Sequence, residues 1–305
     1  MATVGTVMSG AYPRTIQRLA KERKYAGRID VVQQGGFGIA AAVDGDPDYI
    51  DPTHATGGLR KDYKGPSFDH PQFPINRAML PLYNFSHDDN GLLVERGESG
   101  IRQMQLNSAA NYIKYHVTEI VVKMKRQNVA QPLNAIILGC THYPYLDGVI
   151  RQQLDFLAQY TDPQGNKPFA DLLQAGVVLI DPAKLTAREA YLALRRRQLL
   201  NGTGPSHAEF YLGVPNKDLP GVRLGPWGGF AYDYKYGRPP FQAATAAGSL
   251  PPVYVLRVPM YWSTLNPAAI GQIQNRLPLT YRRMVEYNRQ PPAASGRLRK
   301  RNDNQ

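Results

Sequence analysis

Residues 136–146 read IILGCTHYPYL: an apolar run, one glycine, the only cysteine of the chain, then Thr-His-Tyr-Pro. The run NAIILG has the short, β-branched character of a buried strand. LDGVIRQQLDFLAQY after it carries apolar residues at helical spacing. A cysteine at the end of such a strand has two uses. It packs as a small hydrophobe, or it serves as nucleophile and base where a helix start and an imidazole favour the thiolate. Thr141 and His142 follow Cys140 directly, and polar groups at a strand's end add little to packing. They shift the reading toward chemistry: a thiolate in a dry site can take a proton from carbon.

Outward from this stretch the pattern repeats. GVVLID reads as another strand and LTAREAYLALRRRQLL as another helix. Upstream, TVGTVM reads as the end of a strand. Ser9 then caps a helix through TIQRLAKERKY, with Pro13 tolerated in its first turn and Gly27 as its stop. IDVVQQ reads as a second strand running into GGFG. SAANYIKYHVTEIVVKMKRQ is a predicted helix, capped by Ser108, with Tyr112, Tyr115, Ile120 and Val121 at core spacing. Strands alternating with helices of this length predict an α/β fold, a parallel sheet wrapped by helices. Ligands of such sheets bind at the carboxyl ends of the strands, where GGFG, CTHYP and LIDPAK all fall.

From about Asp44 to Gly100 the periodicity lapses into Gly, Pro and Asp. This stretch reads as a long irregular insertion, with a hairpin expected around LPLYNF and GLLVER. GGFG lacks dinucleotide-fingerprint spacing and reads as a turn. His54, His70 and His87 lie near Asp69, Asp88 and Asp89, but their irregular spacing predicts solvated loop residues and no metal site. Tyr12 and Tyr143 read as packing residues. The domain map is therefore an α/β unit over 1–200 with the insertion at about 44–100, a return segment and irregular region over 201–290, and a basic tail over 291–305.

The chain has 305 residues, 43% of them hydrophobic, and a formal charge of +12. One cysteine excludes an intramolecular disulfide, which leans toward a cytoplasmic protein. No run is apolar and long enough to span a bilayer, so no membrane partner is expected. Part of the excess positive charge lies in Arg195–Arg197 and in the tail GRLRKRNDNQ, whose composition predicts disorder. Nucleic acid is expected to be at most a weak contact of that tail.

GCTHYPYL is very similar to the second cysteine motif of the glutamate racemases, in the aspartate/glutamate racemase superfamily. TVMSGAY, IDVVQQG, VVLIDPAKLTAREAYLAL and AEFYLGVP resemble, in the same order, the segments that surround that motif. The resemblance covers about residues 1–216, interrupted by the insertion. It implies the second of two facing α/β lobes, and racemisation of L- and D-glutamate without pyridoxal phosphate, metal or other cofactor, for cell-wall precursor supply. Carried over by position, Cys140 is the base and His142 its proton partner, Thr141 offers its amide and hydroxyl to the substrate, and Gln33 or Gln34 stands at an acidic position. The expected partner is a small acidic amino acid.

The sequence also departs from that pattern. No Asp-Ser or Cys-Asn-Thr motif of a first lobe is present, and the alignment sets Met1 inside the strand that opens the second lobe. The expectation is a fragment, or a subunit that needs a separate first lobe, inactive as this chain alone. A homo-oligomer that pairs two copies of Cys140 is a lesser expectation. The alternative from another class is a non-catalytic scaffold derived from a racemase lobe, with the insertion and tail as contact surfaces.

Overall fold

Helix α5 (Ala109–Arg126) is the axis around which the first part of the chain packs. Ser108 caps it, its hydroxyl accepting from the Asn111 amide, and Lys123, Lys125 and Arg126 occupy its last turn, where cations complement the helix dipole. Tyr112, Tyr115, Ile120 and Val121 are all buried. So are Ile113, His116, Val117 and Thr118, which makes α5 a core helix with little solvated face. Helix α6 (Asp147–Gln159) lies against it through Ile150, Leu154 and Leu157.

The computed structural model describes residues 1–305 except 26, 28, 52, 55–57, 99, 174–175, 201–207, 220–221, 223, 225–229, 231–254, 266 and 290–305. Two units separate, Met1–Leu200 and Asn201–Gln305.

The fold of the first unit is α/β. Strand β3 (Ala135–Ile137) pairs in parallel with β4 (Val178–Ile180), in the register Ala135–Val178 to Ile137–Ile180. The sheet continues through single bridges: Ala2 pairs in parallel with both Gly35 and Gly139. The order across the sheet is thus Gly35, Ala2, β3, β4, with helix α7 (Pro182–Arg196) following β4. The predicted parallel sheet is present in part, as one ladder of named strands and these two bridges.

Two expected strands are corrected. TVGTVM is not a strand end beyond Ala2, because Val4–Ser9 forms helix α1. The Thr3 hydroxyl accepts from the Thr6 amide and caps that helix, a local bond that overrides β-propensity. IDVVQQ forms no ladder among the described residues; Gly35 alone bridges, and to Ala2 alone. Helix α2 (Ala11–Glu22) starts from Gly10 in a left-handed conformation, while the Ser9 hydroxyl accepts from the Ala11 amide. It ends at Glu22, ahead of the expected stop at Gly27.

The described residues of the stretch 44–100 hold more regular structure than its composition suggests. Arg77–Met79 is a 3-10 turn leading into α4 (Leu80–Tyr83). Strands β1 (Leu92–Gly97) and β2 (Gly100–Leu106) form an antiparallel hairpin with an irregularity between Glu95 and Arg96. GLLVER is therefore a strand as expected, but its partner lies downstream, and LPLYNF is largely helical. Ile75, Met79, Tyr83, Leu92, Met104 and Leu106 enter the same core as α5.

Two buried asparagines fasten this stretch. Asn107 accepts from the Asp51 amide and donates to the carbonyls of Asp51 and Asn90. Asn111 accepts from the Ser86 amide and donates to the carbonyls of Ser86 and Gly91.

In the second unit, β5 (Tyr211–Pro215) pairs antiparallel with β6 (Val255–Pro259), so the YLGVP part of AEFYLGVP is a strand. Helices Pro267–Arg276 and Pro278–Arg289 follow, and the Asn288 side chain accepts from the Trp262 amide at 2.9 Å. The basic tail lies outside the described residues.

Candidate functional site

The chain leaves β3 through Leu138 and Gly139 into Cys140. Gly139 donates its amide to the Met1 carbonyl at 2.8 Å, and a Cβ on Gly139 would meet the Ala2 side chain at 2.8 Å. The close packing of these strands therefore requires glycine here. After Cys140 the chain turns through Thr141 and His142 into the 3-10 turn Tyr143–Leu146, and then into α6.

Tyr143 anchors the turn, as the sequence predicts for a packing residue. It is fully buried, its amide donates to the Cys140 carbonyl at 3.2 Å, and its hydroxyl donates to the Gly36 carbonyl at 3.4 Å. Gly36 must lack a side chain, because a Cβ would run into the Tyr143 hydroxyl. The GGFG and CTHY turns are thereby locked together. Gly38 (φ 78°) then starts helix α3 (Ile39–Asp44), so GGFG is a turn and helix cap.

Helix α3 places Asp44 at its carboxyl end, facing the cysteine turn. Cys140 Sγ lies 3.3 Å from His142 Nδ1, and His142 Nε2 lies 3.1 Å from Asp44 Oδ1. The side chains of His142 and Asp44 are 23% and 25% exposed, so a small molecule can reach the pair. With Nε2–H donated to Asp44, the neutral ring leaves Nδ1 as an acceptor for the thiol proton. Thiol, imidazole and carboxylate form one hydrogen-bonded line. Thr141 is exposed beside it.

Burial pushes the Cys140 thiol above its ordinary value; the His142 backbone amide lowers it, and the negative charge of Asp44 adds to the rise. Desolvation thus outweighs the acidifying influences expected from a helix start and an imidazole. The thiol therefore ionises less readily than a free cysteine.

The glutamines at the second turn are not joined to this line by any hydrogen bond among the described residues. Gln33 is half-buried and its backbone carbonyl accepts from Lys123 Nζ at 2.9 Å. The Gln34 side-chain amide donates to Nδ1 of His116. Both glutamines line a cavity of about 400 Å³ whose wall does not include Cys140, Thr141 or His142.

Two histidines of the 44–100 stretch bond to nearby backbone. His54 bonds the Gly58 carbonyl, and His70 accepts from the amides of Gln72 and Phe73. Among the described residues no group of three or more His, Cys, Asp or Glu is placed to hold a metal. Asp44 is the residue the sequence reading missed. The sequence pattern places it at the start of an insertion, whereas it ends the helix that Gly38 of GGFG caps.

The α/β sheet thus carries a thiol–imidazole–carboxylate line at the end of a strand, an arrangement along which a proton can pass from sulfur to the ring. The comparisons narrow it. The chain carries a glutamate racemase-like region: it is 36% and 35% identical over 88 residues to the glutamate racemases of two strains of Thermus thermophilus, which is 29% of this chain and 26% of each enzyme. The glutamate racemase of Symbiobacterium thermophilum is 34% identical over 103 residues, 33% of this chain and 30% of that enzyme. The chain thus spans between a quarter and a third of the length of these relatives. No family model matches the chain, and no solved structure matches it. No helix among the described residues is long and apolar enough to cross a membrane.

Proposed function

We propose that the Cys140 turn is one proton-transfer half of a cofactor-independent amino-acid racemase acting on glutamate or a related acidic amino acid, in the supply of cell-wall precursors. The observation that carries this reading is the line from Cys140 Sγ through His142 to Asp44. His142 Nδ1 takes the thiol proton while Asp44 stabilises the imidazolium. The thiolate then removes the α-proton of one enantiomer, restoring the thiol and leaving a carbanion. A buried thiol with a raised value is the stronger base once ionised, which suits so weak a carbon acid. Thr141, exposed beside the thiol, is assigned to the substrate's charged groups; Gln33 is assigned to them on resemblance alone.

Inversion needs a proton donor on the opposite face of the carbanion. With a single cysteine, this chain is proposed to be inactive alone and to require a first lobe or a second copy. The test is twofold. Circular dichroism of D-glutamate is followed with the chain alone and with a folded racemase first lobe supplied in trans. Exchange of the α-hydrogen in D2O is followed by NMR, which reads one half-site without inversion. Exchange lost in Cys140→Ser, and racemisation only with the first lobe, are expected; exchange untouched by Cys140→Ser would end the assignment.

A scaffold role is the second reading, favoured by the glutamines at 33 and 34 where the resemblance expects an acid. It predicts no exchange under any of these conditions.

A further inference from the structure

Helix α7 reverses the usual arrangement of a surface helix. None of its residues is buried. Only Pro182, Leu192 and Ala193 are half-buried, and these mark the side that meets the rest of the unit. At 3.6 residues per turn, Ala183, Ala187, Tyr191 and Leu194 fall together on the other side. They form an apolar stripe in solvent, with Tyr191 52% and Leu194 42% exposed. Just past the helix, Leu199 and Leu200 are exposed as well. The helix is nonetheless well made at both ends. The Asp181 side chain accepts from the Ala183 amide at 2.9 Å, and Arg195 and Arg196 occupy the last turn, where cations complement the dipole.

Charge frames the stripe. Lys184, Arg188 and Arg195 run along one border and Arg197 stands on the other, all of them exposed. Among the described residues none of these four forms an ion pair. Glu189 is the one acid between Pro182 and Leu200.

These two features together select the covering surface. A nucleic acid neutralises the cations but leaves Tyr191 and Leu194 in water. A second copy buries the stripe, but a parallel pairing sets each cation against its own kind, and an antiparallel one sets Arg195 against Lys184. An anionic bilayer answers both, taking the apolar side chains below its headgroups and the cations among them. The sequence expectation of no membrane partner rests on the length needed to span. Lying in the interface is a different demand, met by an apolar face with cations at its borders.

We infer that the exposed face of α7 docks on an anionic phospholipid surface. The helix lies in the plane of that surface, with Tyr191 and Leu194 inserted and Lys184, Arg188 and Arg195 against the headgroups.

The test is co-sedimentation of the full chain with sucrose-loaded vesicles, of phosphatidylcholine alone or mixed with phosphatidylserine. Binding to the mixed vesicles only, weakened by added salt, is expected. Arg188→Gln and Arg195→Gln should each weaken it about fivefold. The double variant Tyr191→Ser, Leu194→Ser should weaken it about tenfold with no change of charge. All four side chains are exposed, so thermal unfolding of the variants should match that of the parent chain. The double variant separates α7 from the basic tail, whose attraction to the vesicles would not sense it. Binding that the double variant leaves unchanged overturns the proposal, as does no binding, or equal binding to both kinds of vesicle. Binding of a single-stranded oligonucleotide that weakens in the arginine variants, without vesicle binding, would assign the face to nucleic acid instead. Self-association lost in the double variant, again without vesicle binding, would assign it to a second copy.

Discussion

The side-chain amide of Gln34 donates to Nδ1 of His116 across 3.2 Å, and His116 Nε2 donates to the Phe37 carbonyl at 2.9 Å. Both ring nitrogens of a fully buried imidazole are thereby satisfied in its neutral form, with one donor and one acceptor role. Gln34 thus does structural work beside the site.

Acid should destabilise the fold through this histidine. Burial lowers its pKa to about 4, with the Phe37 bond opposing and the Met1 amino group reinforcing the shift. Unfolded, it titrates at about 6.5. The unfolded chain therefore binds more protons between these values. The contribution is fully present above about pH 6.5 and is lost as pH falls toward 4, to a limit of about 3 kcal/mol. Urea unfolding at pH 7.5, 6 and 5 measures it, and His116→Gln should flatten that part of the profile.

Gln34→Glu should raise the His116 pKa by more than one unit, because a carboxylate cannot donate to Nδ1 and instead favours imidazolium. Proton NMR of the ring across pH reads this directly. An unchanged titration would mean that the Gln34 contact is absent in solution.

Alkylation of Cys140 by iodoacetamide should have its midpoint at a higher pH than free cysteine, since burial and Asp44 both disfavour the thiolate. Asp44→Asn should move the midpoint down by removing the negative charge. His142→Asn should slow labelling near neutral pH by removing the proton acceptor at Nδ1. A midpoint below that of free cysteine would contradict the geometry.

Asn111→Ala should destabilise the first unit by about 3 kcal/mol, because it leaves the Ser86 and Gly91 carbonyls and the Ser86 amide without their buried partner. Limited proteolysis should then cut near 84–91 earlier than in the parent chain. Equal cleavage of the two proteins would show that this bond set does not hold the segment.

Gly38→Ala should be nearly as damaging. Its φ of 78° is left-handed, and a Cβ would strike the Tyr112 ring. Thermal unfolding should register a loss of about 2 kcal/mol or more.

The elements legible in the sequence were those with a period. The helix from Ala109, the strand before Cys140, the helix after it and the β4–α7 pair follow apolar spacing and lie where expected. The stretch 44–100 was not legible, because Asn107, Asn111 and Arg60 hold it with side-chain bonds to backbone carbonyls, which leave no periodic trace. Val4–Ser9 misled for a related reason: a β-branched run became a helix once Thr3 capped it. At the site, adjacency in sequence revealed Cys140 and His142. Asp44 lies 98 positions from His142 and meets it only through the fold.

The bond from the Met1 nitrogen to Ile137 joins residues 136 positions apart, whereas β1 and β2 pair across a tight turn. Closing a loop of that length costs chain entropy before any contact rewards it, so hairpin and helix α5 are set to form early and the sheet late. The thiol turn, which hangs on the sheet's end, comes into being with the last events of folding. The helical scaffold is quick, and the cysteine turn waits for it.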